Sequence, residues 1–411
     1  MWNTRIEAAL LEQKAKDRYR RRPVCQTANA SYKMQVEGKS YLNFSSNDYL
    51  GLAHHPLMIE AASRGAKEYG VGSGGSPHVT GYSDPLVRLE ERLASWLGYD
   101  AAIVYPSGFT ANQAAIKLLI EKGDVMIADR LSHASLLEAA MFSPGRLYRF
   151  KHNDPLSLES YLEKEVKPNT MPSATSNAMP SDGNLHENAG KLVITEGIFS
   201  MDGDSAPLPE IARITQKHGA TLMVDDAHGV GFWGREGRGT CDHYGIKPDI
   251  LVVTFGKAFG CSGAALLLSK TFAEYFVQFS RPLIYSTAIP PMQAETLLTA
   301  IDLIASQEGD ERRMRLAANI RYFRESIAHN IGDKIGLLDS ISPIQPLIIG
   351  EDAAALAVSA QLKDAGIWVS AIRPPTVPPH TARLRVTITA DHDEAMIDQF
   401  IARLAAVSGE Q

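Results

Sequence analysis

The sequence predicts an α/β protein, with a mostly parallel sheet between helices and a smaller α+β region after it. Two observations predict this. Short runs rich in Val, Ile and Leu alternate with helical patterns through the first two thirds of the chain, as buried parallel strands and their crossover helices do. From about Ser286 the pattern changes to a long helical stretch followed by strand-like segments. With 411 residues, 45% of them hydrophobic, the chain can bury a large core. The expected division is an N-terminal helix and arm over 1–45, a large α/β domain over 46–285 and a small α+β domain over 286–411.

Taken in order, residues Thr4 to about Arg21 place Ile6, Ala9, Leu10 and Ala15 on one face and read as an amphipathic helix. Tyr41 to Phe44 reads as a short strand and Ser45 to Asp48 as a turn. Helical patterns follow at Leu57 to Tyr69, Asp84 to Leu97 and Ala111 to Ile120. Buried strands are expected at Ala101 to Tyr105, Val125 to Ala128, Leu192 to Thr195, Thr221 to Val224, Ile250 to Phe255 and Ala264 to Leu268. The last region has strand-like segments near Ile344 to Ile349, Ile367 to Val369 and Leu384 to Thr389. Pro168 to Gly190, rich in Pro, Ser, Asn and Ala, has little to bury and reads as a flexible surface insertion.

Composition excludes several classes. The formal net charge is −6, which gives no general attraction for nucleic acid or an anionic membrane. The basic run Arg20-Arg21-Arg22 is local. Cys25, Cys241 and Cys261 are few and widely spaced, so no disulfide framework is expected. Cys241 and His243 lack a second pair at ligand spacing, so no metal site is expected. No apolar stretch has the length of a signal peptide core or a membrane span, and the cytoplasm is the expected location.

Gly70-Val-Gly72-Ser-Gly-Gly75 matches G-x-G-x-x-G in form only. A dinucleotide fingerprint follows a strand and opens a helix. Here a helical stretch precedes the glycines and Ser76-Pro77-His78 follows, so the nicotinamide reading is rejected.

Three other places carry chemistry. Tyr105-Pro106-Ser107-Gly108-Phe109-Thr110 lies where a strand gives way to a helix, and free amides with the positive end of the helix dipole suit a phosphate. Thr221 to Val224 ends in Asp225-Asp226-Ala227-His228. An Asp at the end of a parallel strand can hold a pyridine nitrogen protonated. Ile250 to Phe255 runs into Gly256-Lys257-Ala258, where a poorly solvated lysine has a lowered pKa and becomes a nucleophilic amine. A capped turn, a solvated Asp and a surface Lys are the ordinary readings of the three taken singly. Together they point to pyridoxal 5'-phosphate (PLP). His133, with Ser132 as the expected N-cap, reads from position alone as a helix-start histidine.

The motifs NFSSNDYLGL from Asn43, GSGGS from Gly72, DRLSHASLLEA from Asp129, TEGIFSMDGDSAPL from Thr195, VDDAHG from Val224, TFGKAFG from Thr254 and AIRPPTVP from Ala371 are spread along the chain, and the similarity they carry runs over nearly its whole length. In these the chain resembles the α-oxoamine synthases, fold-type I PLP enzymes, and the last motif points to the branch that serves biotin synthesis. The resemblance implies a seven-stranded sheet in the large domain and a homodimer. It implies that Lys257 holds PLP as a Schiff base and moves the substrate Cα proton. Asp225 would pair with the ring nitrogen, His133 would stack on the ring and touch the substrate carboxylate, and Ser200 and His228 would surround the phenolic oxygen. Gly108 and Phe109 would offer amides to the cofactor, Thr254 would bind its phosphate, and Ser286 and Thr287 would approach that phosphate from the neighbouring subunit. Arg20, Arg373 and Thr376 would contact substrate. The implied reaction is a decarboxylating condensation of L-alanine with a pimeloyl thioester of coenzyme A or an acyl carrier protein. Other α-oxoamine synthases, a PLP aminotransferase and a silent PLP-binding homologue stay open as alternatives. The insertion at 168–190 departs from the family pattern outside every site motif.

Overall fold

A computed structural model describes residues 1–27, 30–166, 189–332 and 335–409. Of the insertion expected at 168–190, residues 168–188 lie outside the described residues.

Two compact units divide the chain, Pro56–Phe199 with Ser205–Asp310, and Met1–His55 with Ser200–Asp204 and Glu311–Gln411. These are not the boundaries expected at 45 and 285. Helix Pro291–Ile304 packs on helices Pro56–Tyr69 and Asp84–Leu97, so residues past 285 belong to the larger unit. The N-terminal arm and the C-terminal third form one unit instead of two.

The larger unit is built on a seven-stranded sheet. Its order is Ala101–Tyr105, Ala264–Leu268, Ile250–Thr254, Thr221–Asp225, Lys191–Glu196, Val125–Asp129, Arg146–Phe150. Ala264–Leu268 runs antiparallel to both neighbours, and every other pairing is parallel. Six strands therefore point one way. Most of these strands are continuous apolar runs because helices cover both faces, which leaves no solvent face to mark with polar residues. Met126, Val193, Ile194, Met223, Val252 and Leu266 are among the side chains buried in this core. The edge strand Arg146–Phe150 is absent from the sequence expectation. It buries only Phe150 fully and alternates too weakly to declare itself.

The other unit carries two four-stranded sheets. One runs Cys25–Thr27, Lys33–Val36, Lys39–Asn43 and Ile367–Trp368, the last joining parallel to Lys39–Asn43. The other is antiparallel, in the order Gly336–Leu337, Ile344–Gly350, Ala382–Thr387, Ser370–Ile372. The segment Ser200–Asp204 belongs here because buried arginines hold it. Arg383 donates to Asp202 at 2.5 Å and Arg385 Nε to the Ser200 carbonyl at 2.7 Å. Ser340 Oγ donates to the Gly203 carbonyl at 2.8 Å. Gly203 has φ +72°, and a Cβ there would lie 2.4 Å from the Ile344 carbonyl, so the turn requires glycine.

The N-terminal helix is Trp2–Ala15, shorter than the expected Thr4 to Arg21, and none of its side chains is buried. It ends where Asp17 takes a left-handed φ of 52°, and Arg20 to Arg22 follow as non-helical chain. The expected amphipathic face is thus open, with Ile6 and Leu10 exposed.

Candidate active site

Parallel strands bring their carboxyl ends to one edge of a sheet, and the sequence places its chemistry at those ends. Tyr105, Asp129, Glu196, Asp225 and Thr254 are the last residues of five parallel strands. The segments after them carry Gly108, His133, His228 and Lys257.

Helix Gly108–Leu119 follows the first of these ends. Ser107 caps it, its Oγ accepting from Thr110 N at 3.2 Å. The first-turn amides of any helix lack intrahelical partners, and at Gly108 and Phe109 they can meet an anion. A Cβ on Gly108 would come within 2.6 Å of Thr254 Cγ2, so only glycine brings this helix start so close to the Thr254 strand end. Thr254 in turn accepts a hydrogen bond from Lys257 Nζ at 3.1 Å. Lys257 is half-buried, less desolvated than its apolar strand suggests, and sits between exposed Gly256 and buried Ala258.

Asp225 is buried on the adjacent strand. Its Oδ1 accepts from Ala227 N at 3.1 Å and its Oδ2 from Asn112 Nδ2 at 2.8 Å. The same Asn112 amide donates to Ser135 Oγ at 2.9 Å, and Ser135 Oγ lies 2.8 Å from His133 Nδ1. His133 itself caps helix Ala134–Met141, its Nδ1 accepting from Ser135 N, so the expected Ser132 cap is corrected. Ser132 Oγ is buried and makes no hydrogen bond among the described residues, and the free helix amide is taken by the imidazole. His133 N donates to Glu196 Oε1 at 2.5 Å. Glu196 stands directly across from Asp225 in the strand register.

The charges are mutually felt. Burial lowers the pKa of His133, the Asp225 carboxylate raises it and the Lys257 ammonium lowers it. Solvent tempers the burial contribution, because the His133 ring remains exposed in part. Burial, reinforced by Asp225, raises the Glu196 carboxyl well above the usual range. Asp226, wholly buried behind Asp225, is pushed up to about 7 by burial although Thr240 N donates to it. His228 is buried in the same stretch.

Nine of the expected residues thus lie in the larger unit: Gly108, Phe109, His133, Asp225, His228, Thr254, Lys257, Ser286 and Thr287. Ser286 and Thr287 line a crevice with Pro77, Tyr105 and Pro106. The Gly70–Gly75 loop sits between helix Pro56–Tyr69 and a turn at Pro77–Gly81, as its rejection as a dinucleotide site requires. It is tied down by Ser73 Oγ donating to the Ala288 carbonyl at 2.8 Å.

Ser200, Arg20, Arg373 and Thr376 lie in the other unit. There Arg20, Arg21, Arg22 and Arg373 line one cleft with Lys14, Asp17 and Tyr19. Arg373 Nη1 donates to the Asp17 carbonyl, and Thr376 N donates to the Arg373 carbonyl at 3.1 Å.

Sequence reasoning missed Asn112, Ser135 and Glu196 as site residues. Their signal was available as polar residues in otherwise apolar helix or strand patterns. No local rule says which buried group such a residue satisfies.

The description Aminotransferase class I and II matches residues 39–404. An 8-amino-7-oxononanoate synthase from Klebsiella pneumoniae subsp. pneumoniae is 53% identical over 97% of this chain and 97% of its own length. The chain belongs to the 8-amino-7-oxononanoate synthase family. A relative of the same name from Pectobacterium atrosepticum is 50% identical over 98% of both chains. Among solved structures, serine palmitoyltransferase from S. paucimobilis with bound PLP–myriocin aldimine superposes with TM-score 0.87 at 27% identity, covering 98% of this chain and 97% of that one.

The residues present fit the PLP of this family. A Cβ on Gly108 would crowd Thr254 Cγ2, a helix start supplies amides for a phosphate, and a buried carboxylate ends the strand next to the one that leads into an amine. Among the described residues no helix is long and apolar enough to cross a membrane, and no cluster of His, Cys, Asp and Glu could hold a metal ion.

Proposed function

We propose that the chain catalyses the PLP-dependent condensation of L-alanine with a pimeloyl thioester, releasing CO2 and the thiol and giving 8-amino-7-oxononanoate. The observation that carries this reading is that Asp225 ends one strand and Lys257 follows the end of the adjacent parallel strand, in a chain half identical to synthases of that name.

Bound PLP supplies an electron sink that stabilises negative charge at the alanine Cα. The chain's own residues do the rest. Lys257 anchors the cofactor, then takes the Cα proton and returns it after CO2 is lost. Asp225 keeps a proton on the ring nitrogen, and Asn112 holds that carboxylate in place. The amides of Gly108 and Phe109 and the hydroxyl of Thr254 bind the phosphate. Ser286 and Thr287 reach the phosphate of a partner subunit in a homodimer. His133 covers the ring, while His228 and Ser200 hold its phenolic oxygen. Arg373 and Thr376 take the alanine carboxylate, a bidentate guanidinium contact, and Arg20 takes the acyl substrate. The thiol carrier is coenzyme A or an acyl carrier protein, and the reaction belongs to the cytoplasm.

The test is turnover of purified protein with pimeloyl-CoA and alanine, glycine or serine in parallel, with products identified by mass. Alanine is expected to give the C9 amino ketone. Pyruvate formed from alanine without thioester would mean an aminotransferase, and preference for glycine or serine another α-oxoamine synthase.

A further inference from the structure

Asn112, Ser135 and His133 form a chain of hydrogen bonds whose donors can be assigned one by one. Asn112 is buried and faces the Asp225 carboxylate, which only accepts, so the group 2.8 Å from Oδ2 is the amide nitrogen. Its second hydrogen goes to Ser135 Oγ at 2.9 Å. Ser135 Oγ, having accepted there, has its own hydrogen free for His133 Nδ1 at 2.8 Å. The backbone amide of Ser135 decides the last step. Its hydrogen cannot rotate, and it is aimed at the same Nδ1 at 3.3 Å. A nitrogen receiving two donors carries no proton, so the imidazole hydrogen is on Nε2.

We propose that Asn112 and Ser135 are positioning residues that hold His133 as the neutral Nε2–H tautomer, through a hydrogen-bond chain that starts at Asp225. An imidazolium would turn an N–H toward the Ser135 amide and hydroxyl, so both donors oppose protonation. The Lys257 ammonium opposes it too, and the Asp225 carboxylate favours it. His133 N is held separately by Glu196, which fixes the backbone and leaves the ring's tautomer to Ser135. The consequence rests on the proposed function. A neutral ring can lie against a cofactor ring protonated through Asp225 without like-charge repulsion, while Nε2–H remains a donor for a substrate oxygen.

Side-chain 15N spectra of histidine-labelled protein test this directly, with His133→Gln identifying the His133 signals. At neutral pH the wild type is expected to show an unprotonated Nδ1 and a protonated Nε2, with or without PLP. A protonated Nδ1 overturns the inference. Ser135→Ala removes the closer of the two donors and leaves the backbone amide, so the Nε2–H form should remain the major one, with a minor Nδ1–H population and His133 protonation beginning at a higher pH. Its kcat should fall about fivefold, the size of one neutral hydrogen bond, with a displaced acid limb in the pH profile. Asn112→Ala frees the Ser135 hydroxyl to rotate and should move the spectrum the same way to a smaller extent. A wild-type spectrum and acid limb in Ser135→Ala would likewise overturn it. If the tautomer is as expected but no condensation occurs with alanine and pimeloyl-CoA, the proposed function fails and the positioning role stands.

Discussion

The carboxyl end of the seven-stranded sheet and the basic cleft of the other unit carry different kinds of residue. At the sheet end, Asp225, Thr254 and Glu196 are buried, each fixed by strand register and by at least one hydrogen bond shown above. In the cleft, Arg20 is exposed and sits on non-helical chain, and the Arg373 guanidinium donates to the Asp17 carbonyl. A preorganised buried group acts with little reorganisation and is hard to replace, whereas an exposed guanidinium is screened and replaceable. Chemistry is therefore expected to concentrate at the sheet end and binding in the cleft.

Lys257→Ala is the strongest challenge to that division. Turnover should fall by at least about 10⁴-fold, beyond what loss of acid–base assistance alone removes, since anchoring is lost as well. Borohydride should no longer fix PLP to the chain, while the melting temperature stays near that of the wild type. Asp225→Asn keeps the shape and removes the charge. It should lower kcat by about 10³-fold, within the range of a positioned acid–base group, with a smaller change in KM. Arg373→Ala should do the reverse, raising KM for alanine about 10- to 100-fold, the range of a charge-assisted hydrogen bond, and changing kcat less. If Arg373→Ala instead abolished kcat, the contrast between the two regions would collapse.

Stability sharpens the comparison further. His392, buried in the unit that holds the cleft, accepts from Thr389 N at 2.9 Å, and burial lowers its pKa to about 4. Between pH 6.5 and about 4 the unfolded chain binds a proton that the folded chain refuses, so stability falls as the pH drops through that window and is complete above it. The loss should reach roughly 2–3 kcal/mol near pH 4, and His392→Gln should flatten it in denaturant titrations at a series of pH values. The smallest effect is expected at Gly108→Ala, where the added methyl meets Thr254 Cγ2. It should cost about 1 kcal/mol of stability and loosen PLP retention, measured by melting and by dialysis against buffer.

Much of this was legible in the chain itself. The strand at Ala101–Tyr105 and the helix at Asp84–Leu97 have the limits the apolar pattern assigns. Asp225 and Lys257 were identified because each breaks an apolar run where a parallel strand should end. The edge strand Arg146–Phe150 was not legible, because a half-exposed strand lacks the continuous run that marked its neighbours. Nor was the assignment of Ser200–Asp204 to the other unit, because the arginines that hold it come from a strand nearly two hundred residues later.

The amino-acid order by itself determined which segments are strands and helices and which reactive groups stand at their ends, since burial and backbone propensity act over neighbouring residues. Tertiary structure alone decided that Ala264–Leu268 enters the sheet reversed, that Glu196 faces Asp225, and that Asn112 joins Asp225 to Ser135. Strand pairing and the satisfaction of a buried polar group depend on which distant segments meet, and that choice is made by the packed core as a whole.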